Sequence, residues 1–289
     1  MEQRRVWDRS NQMPPGREFE AYHFVDTAAQ PVFYHNHPHY EIFFYLQGHS
    51  RIVVEGLDFQ PVRGDVLIYP PGIMHRNVHL DTTLPYERFY FFARREFLQS
   101  ISAADYDIPG TIEQMTRNDQ YYFHVEEEDL KQLIAMTDEV IEASEDRRPA
   151  AKLINRSRMS ILLIRALSMM TSRGALPQSE YSRGMSQLIQ YINQHAMEPL
   201  SLDDLAAAFY SSKYYILREF KKYTGISIHQ YLIIRRILIA QELIRQGVKP
   251  KDASAQCGFS DYSSFYRAFK ARTGVSPEQY RQSAGTSRN

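Results

Sequence analysis

Apolar residues fall in two rhythms along this chain. Over residues 19–92 they come in short runs: FEAYHFV (19–25), EIFFYLQG (41–48), RIVVEG (51–56), GDVLIYPP (64–71) and ERFYFF (87–92). The runs are β-branched or aromatic, and Gly, Pro and Asp interrupt them at short intervals. That pattern predicts antiparallel strands forming a small barrel or double-sheet roll. The spacing then changes. Leu130, Leu133, Ile134, Val140 and Ile141 recur at helical intervals over 128–145, and residues 150–172 predict a second helix. The stretch RGALPQSEYSRG (173–184) is polar and reads as a linker. From 185 onward the spacing is helical, with one stripe at Met185, Leu188, Ile189 and Ile192 and another at Leu202, Leu205, Ala206 and Phe209. The expected architecture is α+β and multidomain. It comprises a β-barrel over 1–125, a helical linker over 126–172 that packs on the barrel and dimerises, a flexible linker over 173–184, and an all-α domain over 185–289.

The C-terminal part repeats itself. FKKYTGISIHQY (220–231) and FKARTGVSPEQY (269–280) match at an offset of 49, as do Arg218 and Arg267. LDDLAAAFYSS (202–212) and PKDASAQCGFS (250–260) align at an offset of 48, so the second copy has one extra residue in its turn. A supersecondary unit built twice has this signature. Each copy reads helix, short turn, helix. Ser201 caps the first helix, Ser260 or Asp261 caps the last, and Gly225 and Gly274 stop the second helices. Helix-turn-helix units that place their second helix in the DNA major groove have this form. Ile216, Phe220, Phe265 and Phe269 point inward. The opposite faces carry Lys213, Tyr214, Leu217, Arg218 and Lys221 in one unit and Tyr262, Ser263, Tyr266, Arg267 and Lys270 in the other. Arg bonds guanine edges, Lys neutralises phosphates, and Tyr packs on thymine methyls or backbone.

Charge supports that division. The chain is neutral as a whole, but residues 185–289 hold 14 Lys and Arg against 8 Asp and Glu, a net +6, and residues 1–184 a net −6. A basic C-terminal third suits a polyanion such as promoter DNA. The single cysteine, Cys257, excludes an internal disulfide and any multi-cysteine zinc module, and fits a reducing cytoplasm. Neither a signal-peptide pattern nor an apolar run of about 18 residues is present, so no membrane partner is expected.

The duplicated segment closely resembles the AraC-type family of bacterial transcription regulators over about residues 185–282. The resemblance rests on GFSD (258–261), on F-K-x-x-T-G-x-S-P-x-x-Y (269–280), and on R-[IL]-x-x-A (236–240) in the joining helix. It implies both recognition helices entering successive major-groove segments, with Tyr214, Leu217, Arg218, Tyr262, Ser263, Tyr266 and Arg267 facing bases. It also implies activation by contact with RNA polymerase, in a nucleoid-associated protein. This chain departs from the pattern at Pro250, Ala253 and Ser254, where large aliphatics are usual, and at Glu219, where an apolar residue is usual. Leu217 cannot hydrogen-bond a base. The apolar joining helix, YLIIRRILIAQELI (231–244), is expected to be buried between the two units.

The N-terminal half carries a second constellation, HNHPHYEIFFYLQG (35–48). His35-x-His37-x3-Glu41-x6-Gly48 is followed by Gly64-x5-Pro70-x-Gly72-x2-His75, which is similar to the two cupin motifs, with His79 in place of a usual Asn. In metal-binding cupins the slots of His35, His37, Glu41 and His75 hold the metal, and three imidazoles with a carboxylate suit Fe, Mn, Zn or Ni. Strand alternation would put His35, His37, His39 and Glu41 on one face. The residues admit three readings: a small-molecule pocket without metal, a metal-assisted pocket, or polar structural residues. Tyr45 and Tyr69 join the candidate ligand set as aromatic wall, and Tyr34, Tyr40 and Phe43 could serve likewise. The combined expectation is a non-enzymatic, effector-responsive, homodimeric DNA-binding regulator, sensing a small molecule such as a sugar or related metabolite. The rivals are a metal-dependent cupin enzyme with a helical appendage and a constitutive regulator whose barrel only dimerises.

Overall fold

The computed structural model describes residues 13, 16–26, 34–81, 83–116, 120–144, 148, 150–172 and 180–286. The chain divides into two units, Met1–Gln178 and Ser179–Asn289.

The first unit is built on two antiparallel sheets. Its strands are β1 (Phe19–Asp26), β2 (Tyr40–Gln47), β3 (Ser50–Val54), β4 (Leu57–Phe59), β5 (Asp65–Tyr69), β6 (His75–His79), β7 (Tyr86–Ala93), β8 (Tyr122–His124) and β9 (Thr171–Ser172). The larger sheet runs β1-β7-β2-β5-β8-β9 and the smaller β4-β3-β6, the double-sheet roll expected. Its helices are α1 (Arg95–Ser100), α2 (Ile108–Met115), α3 (Glu127–Ser144) and α4 (Ala151–Met169). β2 lies in the middle of the large sheet, covered on both faces. Ile42, Phe44 and Leu46 share one core with Leu130, Leu133, Leu162 and Leu163 of α3 and α4, while Phe43 and Tyr45 join a second core with Ile52, Leu67 and Tyr86. Double burial is why this strand reads as an unbroken apolar run rather than as alternation.

Several elements escaped the sequence reading. β6 is HRNVH, too polar for a strand signal, and is held by pairing with β3. The second helix ends at Met169 rather than 172, because Thr171 and Ser172 pair with β8. Tyr40 belongs to the core under the helices, where its hydroxyl donates to Glu113 Oε1 at 2.8 Å, so it is no wall of the roll interior.

The second unit is all helical: α5 (Glu180–Gln194), α6 (Leu202–Ala208), α7 (Lys213–Thr224), α8 (Ile228–Arg245), α9 (Pro250–Gln256), α10 (Tyr262–Thr273) and α11 (Pro277–Thr286). α5 takes in residues 180–184 of the stretch expected as linker, and residues 173–179 lie outside the described residues. Ser201 and Asp204 form a reciprocal capping box at α6, and Asp261 rather than Ser260 caps α10, accepting from Ser264 N at 2.7 Å.

The T-G-x-S-x-x-Q signature is a joint between two helices. Thr224 Oγ1 donates to Phe220 O (2.8 Å) and accepts from Ile226 N (3.3 Å). Thr273 does the same to Phe269 O (2.9 Å) and Val275 N (3.3 Å). Ser227 with Gln230, and Ser276 with Gln279, then cap the following helices with the same pair of 2.9 and 3.2 Å bonds. Sequence repetition is therefore repetition of a hydrogen-bond pattern that fixes where one helix ends and the next begins. α8 connects the two helix-turn-helix segments, with Tyr231 against Phe220 and Ile237, Ala240 and Ile244 in the core of Phe265 and Phe269. Pro250, Ala253 and Ser254 are all buried, so the small side chains of α9 serve close packing.

Candidate functional site

In both second helices the inward and outward residues separate as the spacing demanded. Ile216, Phe220, Phe265 and Phe269 are buried, whereas Lys213, Tyr214, Leu217, Arg218, Lys221, Tyr262, Ser263, Tyr266, Arg267 and Lys270 are all exposed. An apolar stripe at positions i and i+4 fastens each helix by one side and leaves the cationic and aromatic side to solvent. Tyr214 is 72 % exposed, and so large an unburied aromatic offers contact area to a partner. Lys213 Nζ lies 2.5 Å from Asp203 Oδ1, which ties α7 to α6. Two further exposed aromatics were not singled out in the sequence: Tyr210, in the first turn and 99 % exposed, and Tyr215 beside Tyr214. Glu219, the departure from the usual apolar residue, is buried, and its Oε1 accepts from Arg218 Nε at 2.8 Å.

The histidines of the first unit converge, though by a different route from the one expected. β2 begins only at Tyr40, so His35, His37 and His39 precede the strand and strand alternation does not place them. His35 instead pairs with His75 through two backbone bonds, His35 N to His75 O (3.0 Å) and His75 N to His35 O (2.9 Å). That bridge brings the approach to β2 against the start of β6. Ligand atoms of His37, Glu41 and His75, all buried, lie within 4.8 Å of one another. His35 packs its ring 4.4 Å from that of His75 and stands outside this trio, so the predicted set of four becomes three. His39 stacks on His37, centroids 4.0 Å apart, with its imidazole pushed down to about 2 by burial and then by His37.

Backbone carbonyls set the tautomers of the trio. His37 Nδ1 lies 2.8 Å from His39 O and His75 Nδ1 lies 3.0 Å from Ile73 O. A carbonyl only accepts, so each Nδ1 carries a proton; His75 Nε2 then presents a lone pair, whereas His37 Nε2 shares a proton with the Glu41 carboxylate in a hydrogen bond. His37 Nε2 is 2.7 Å and His75 Nε2 3.7 Å from the same oxygen, Glu41 Oε2. Burial holds His75 well below the usual imidazole range, and among the described residues its buried Nε2 has no hydrogen-bond partner. Two imidazole Nε2 atoms and a carboxylate facing one point, with each Nδ1 fixed from behind, become the donor set of a divalent metal once the proton between His37 and Glu41 is released. The residues present therefore fit a metal. Tyr69 stacks on His75 at 4.0 Å and borders the trio. Tyr45, four residues beyond Glu41 on β2 and so roughly 13 Å along the strand, faces the same interior but not the trio. Its hydroxyl is buried beside that of Ser50.

The sequence reading also missed Arg88. It lies in the middle of the aromatic strand β7, buried, with Nη1 2.6 Å from Asp26 Oδ2 and its guanidinium 4.4 Å from the Tyr86 ring centroid. An arginine within a run as aromatic as YERFYFFA was the available signal.

A model of the AraC-like ligand binding domain matches residues 20–162, and a model described as a helix-turn-helix domain matches residues 205–283. The uncharacterized HTH-type transcriptional regulator YbfI of Bacillus subtilis (strain 168) is 29 % identical over 258 residues, covering 88 % of this chain and 88 % of that protein. The probable transcriptional regulator LumQ of Photobacterium leiognathi is 40 % identical over 93 residues, 31 % of this chain and 37 % of LumQ. Among solved structures, ToxT from Vibrio cholerae covers 92 % of this chain and 98 % of its own, at 16 % identity and a TM-score of 0.36.

Proposed function

Because this chain belongs to the AraC family of transcription regulators, which is not a family of enzymes, we propose that it is an effector-responsive activator in which a small molecule in the N-terminal roll controls promoter binding by the two helix-turn-helix units. The observation that carries this reading is the matched pair of exposed faces on α7 and α10, each with a Tyr, an Arg and a Lys outward over buried Ile or Phe. The face residues are Lys213, Tyr214, Leu217, Arg218 and Lys221, with Tyr262, Ser263, Tyr266, Arg267 and Lys270. Arg218 and Arg267 read bases, and the lysines neutralise phosphate.

The effector is a small polar molecule, such as a sugar or related metabolite, held in the roll by His35, His37, Glu41, His75, Tyr45 and Tyr69. Buried donors and acceptors against aromatic walls support this. The effector must bind two arrangements of the chain unequally to switch anything. The protein works in the bacterial cytoplasm at the nucleoid, contacts RNA polymerase, and pairs with a second copy through α4. Leu153, Ile154, Ile161 and Ile164 stand exposed on that helix and support pairing. The domain scheme of a roll, a helical segment and a double helix-turn-helix follows the same division of labour.

The unpartnered His75 Nε2 beside Glu41 favours a metal-assisted version of the pocket. His37, Glu41 and His75 would hold a divalent ion, which would supply a Lewis-acid anchor for an effector oxygen. Two measurements test these readings. Titration of fluorescent promoter DNA from the gene's own neighbourhood should give specific, salt-dependent binding, and its absence refutes the regulator reading. Elemental analysis after loading with Zn, Mn, Fe or Ni should give one ion per chain for the metal-assisted pocket and none for the simple one. His75→Ala should leave DNA affinity without effector unchanged. A large loss there would mean that the trio is structural.

A further inference from the structure

We propose that Glu219 is a positioning residue for base reading: its buried carboxylate holds Arg218 in place before DNA arrives, so that the first unit reads one base pair more strictly than the second. The inference rests on the reading of α7 as a recognition helix. Glu219 is buried at a position next to Phe220, where an apolar side chain would pack, and a buried carboxylate requires charged or hydrogen-bonding partners. Its partner on the exposed face is Arg218, whose Nε donates to Oε1 at 2.8 Å, and Lys222 Nζ lies 3.9 Å from Oε2. The Arg218 guanidinium carbon lies over the rings of Tyr214 and Tyr215, 5.7 Å from each centroid and so within cation–π range. The carboxylate raises the basicity of the guanidinium, so the pairing is one of full charges.

The geometry of the pairing decides its consequence. The hydrogen bond is made by Nε, whereas the two terminal nitrogens of an arginine can together bridge O6 and N7 of a guanine. A long arginine side chain loses much rotamer freedom when it docks on a base, and one already held has less to lose. The duplication supplies an internal comparison. The offset of 49 places Ala268 where the first unit has Glu219, and Arg267 has instead a 3.4 Å contact from Nη2 to Ser264 Oγ. Two arginines at equivalent positions are thus held differently, by a buried charge in one unit and loosely by a hydroxyl in the other.

The test uses the full chain and a randomised duplex DNA library, with enriched sequences from wild type, Glu219→Leu, Glu219→Gln and Arg218→Ala compared position by position. Glu219→Leu should weaken the preference for one guanine by about 2- to 10-fold, less than Arg218→Ala does, and leave the other positions and the salt slope unchanged. Glu219→Gln keeps an oxygen that can accept from Nε and should retain most of that preference. In the Arg218→Ala background, Glu219→Leu should change nothing further. Uniform weakening at every position would show a merely structural glutamate and overturn the proposal. So would an unchanged pattern in Glu219→Leu, or tighter specific binding, which would mean that the carboxylate withdraws Arg218 from DNA. If wild type enriches no sequence, the recognition-helix reading itself fails. That outcome is distinct from a wild-type consensus indifferent to Glu219.

Discussion

Two glycines of the second helix-turn-helix unit isolate the cost of one steric contact. Gly258, in the turn between α9 and α10, has φ +78°, and a Cβ added there would lie 2.7 Å from Met197 O and 3.1 Å from Arg236 Nη2. Gly274, after α10, has φ +77° and nothing within 4 Å of an added Cβ. Alanine at either position takes on the left-handed backbone penalty, about 1–2 kcal/mol. The reduced freedom of the unfolded chain offsets roughly 0.4–1 kcal/mol of it. Gly274→Ala should therefore cost about 1 kcal/mol. Gly258→Ala must in addition push a backbone carbonyl aside. That segment resists, because Arg236 donates to Ala196 O and Glu198 O, both at 2.8 Å, on either side of Met197. Overpacking against such a clamped group adds about 1–3 kcal/mol, for a total of about 2–4 kcal/mol.

Native-state hydrogen exchange on the full chain, read on peptides covering α9 and α10, measures this directly. Protection there should fall roughly 30- to 700-fold in Gly258→Ala and about 5-fold in Gly274→Ala, at 1.4 kcal/mol per tenfold. Equal effects at the two glycines, or full protection in Gly258→Ala, would refute the argument that Arg236 fixes the carbonyl the turn must pass.

Other expectations follow from the same contacts. Arg218→Ala and Arg267→Ala should each weaken specific DNA binding by about 1–3 kcal/mol in a competition titration. An equal loss on random DNA would show that they touch only phosphate. Cys257 is buried, with its thiol pushed up to about 11 by burial, so its thiolate is scarce near pH 8. Iodoacetamide should spare it in the native protein and label it in urea, and labelling without denaturant would contradict its burial. Ile161→Lys, on the exposed side of α4, should shift sedimentation from dimer to monomer without changing the thermal transition of the monomer. A dimer unaffected by the change would place self-association elsewhere.

The repeat at offset 49 was legible because its meaning is local. Thr224 and Thr273 bond within four residues along the chain, Ser201 and Asp261 cap their own helices, and an i, i+4 apolar stripe determines which face is left exposed. Short-range geometry of this kind is written in residue order, so the sequence alone determined the helix-turn-helix pair and the residues on its outer faces. The six-stranded sheet was legible in part, where runs such as EIFFYLQG announce a strand buried on both faces. What only tertiary structure decided lies where distant segments meet. β6 exists because β3 pairs with it, not because HRNVH favours a strand. His37, Glu41 and His75 form a trio, with His35 left outside it, because a backbone bridge joins residues 40 positions apart and local carbonyls turn each Nε2 inward. The role of Glu219 likewise depended on burial: the sequence shows a charge in an apolar slot, and only packing determines that the charge must hold its neighbour.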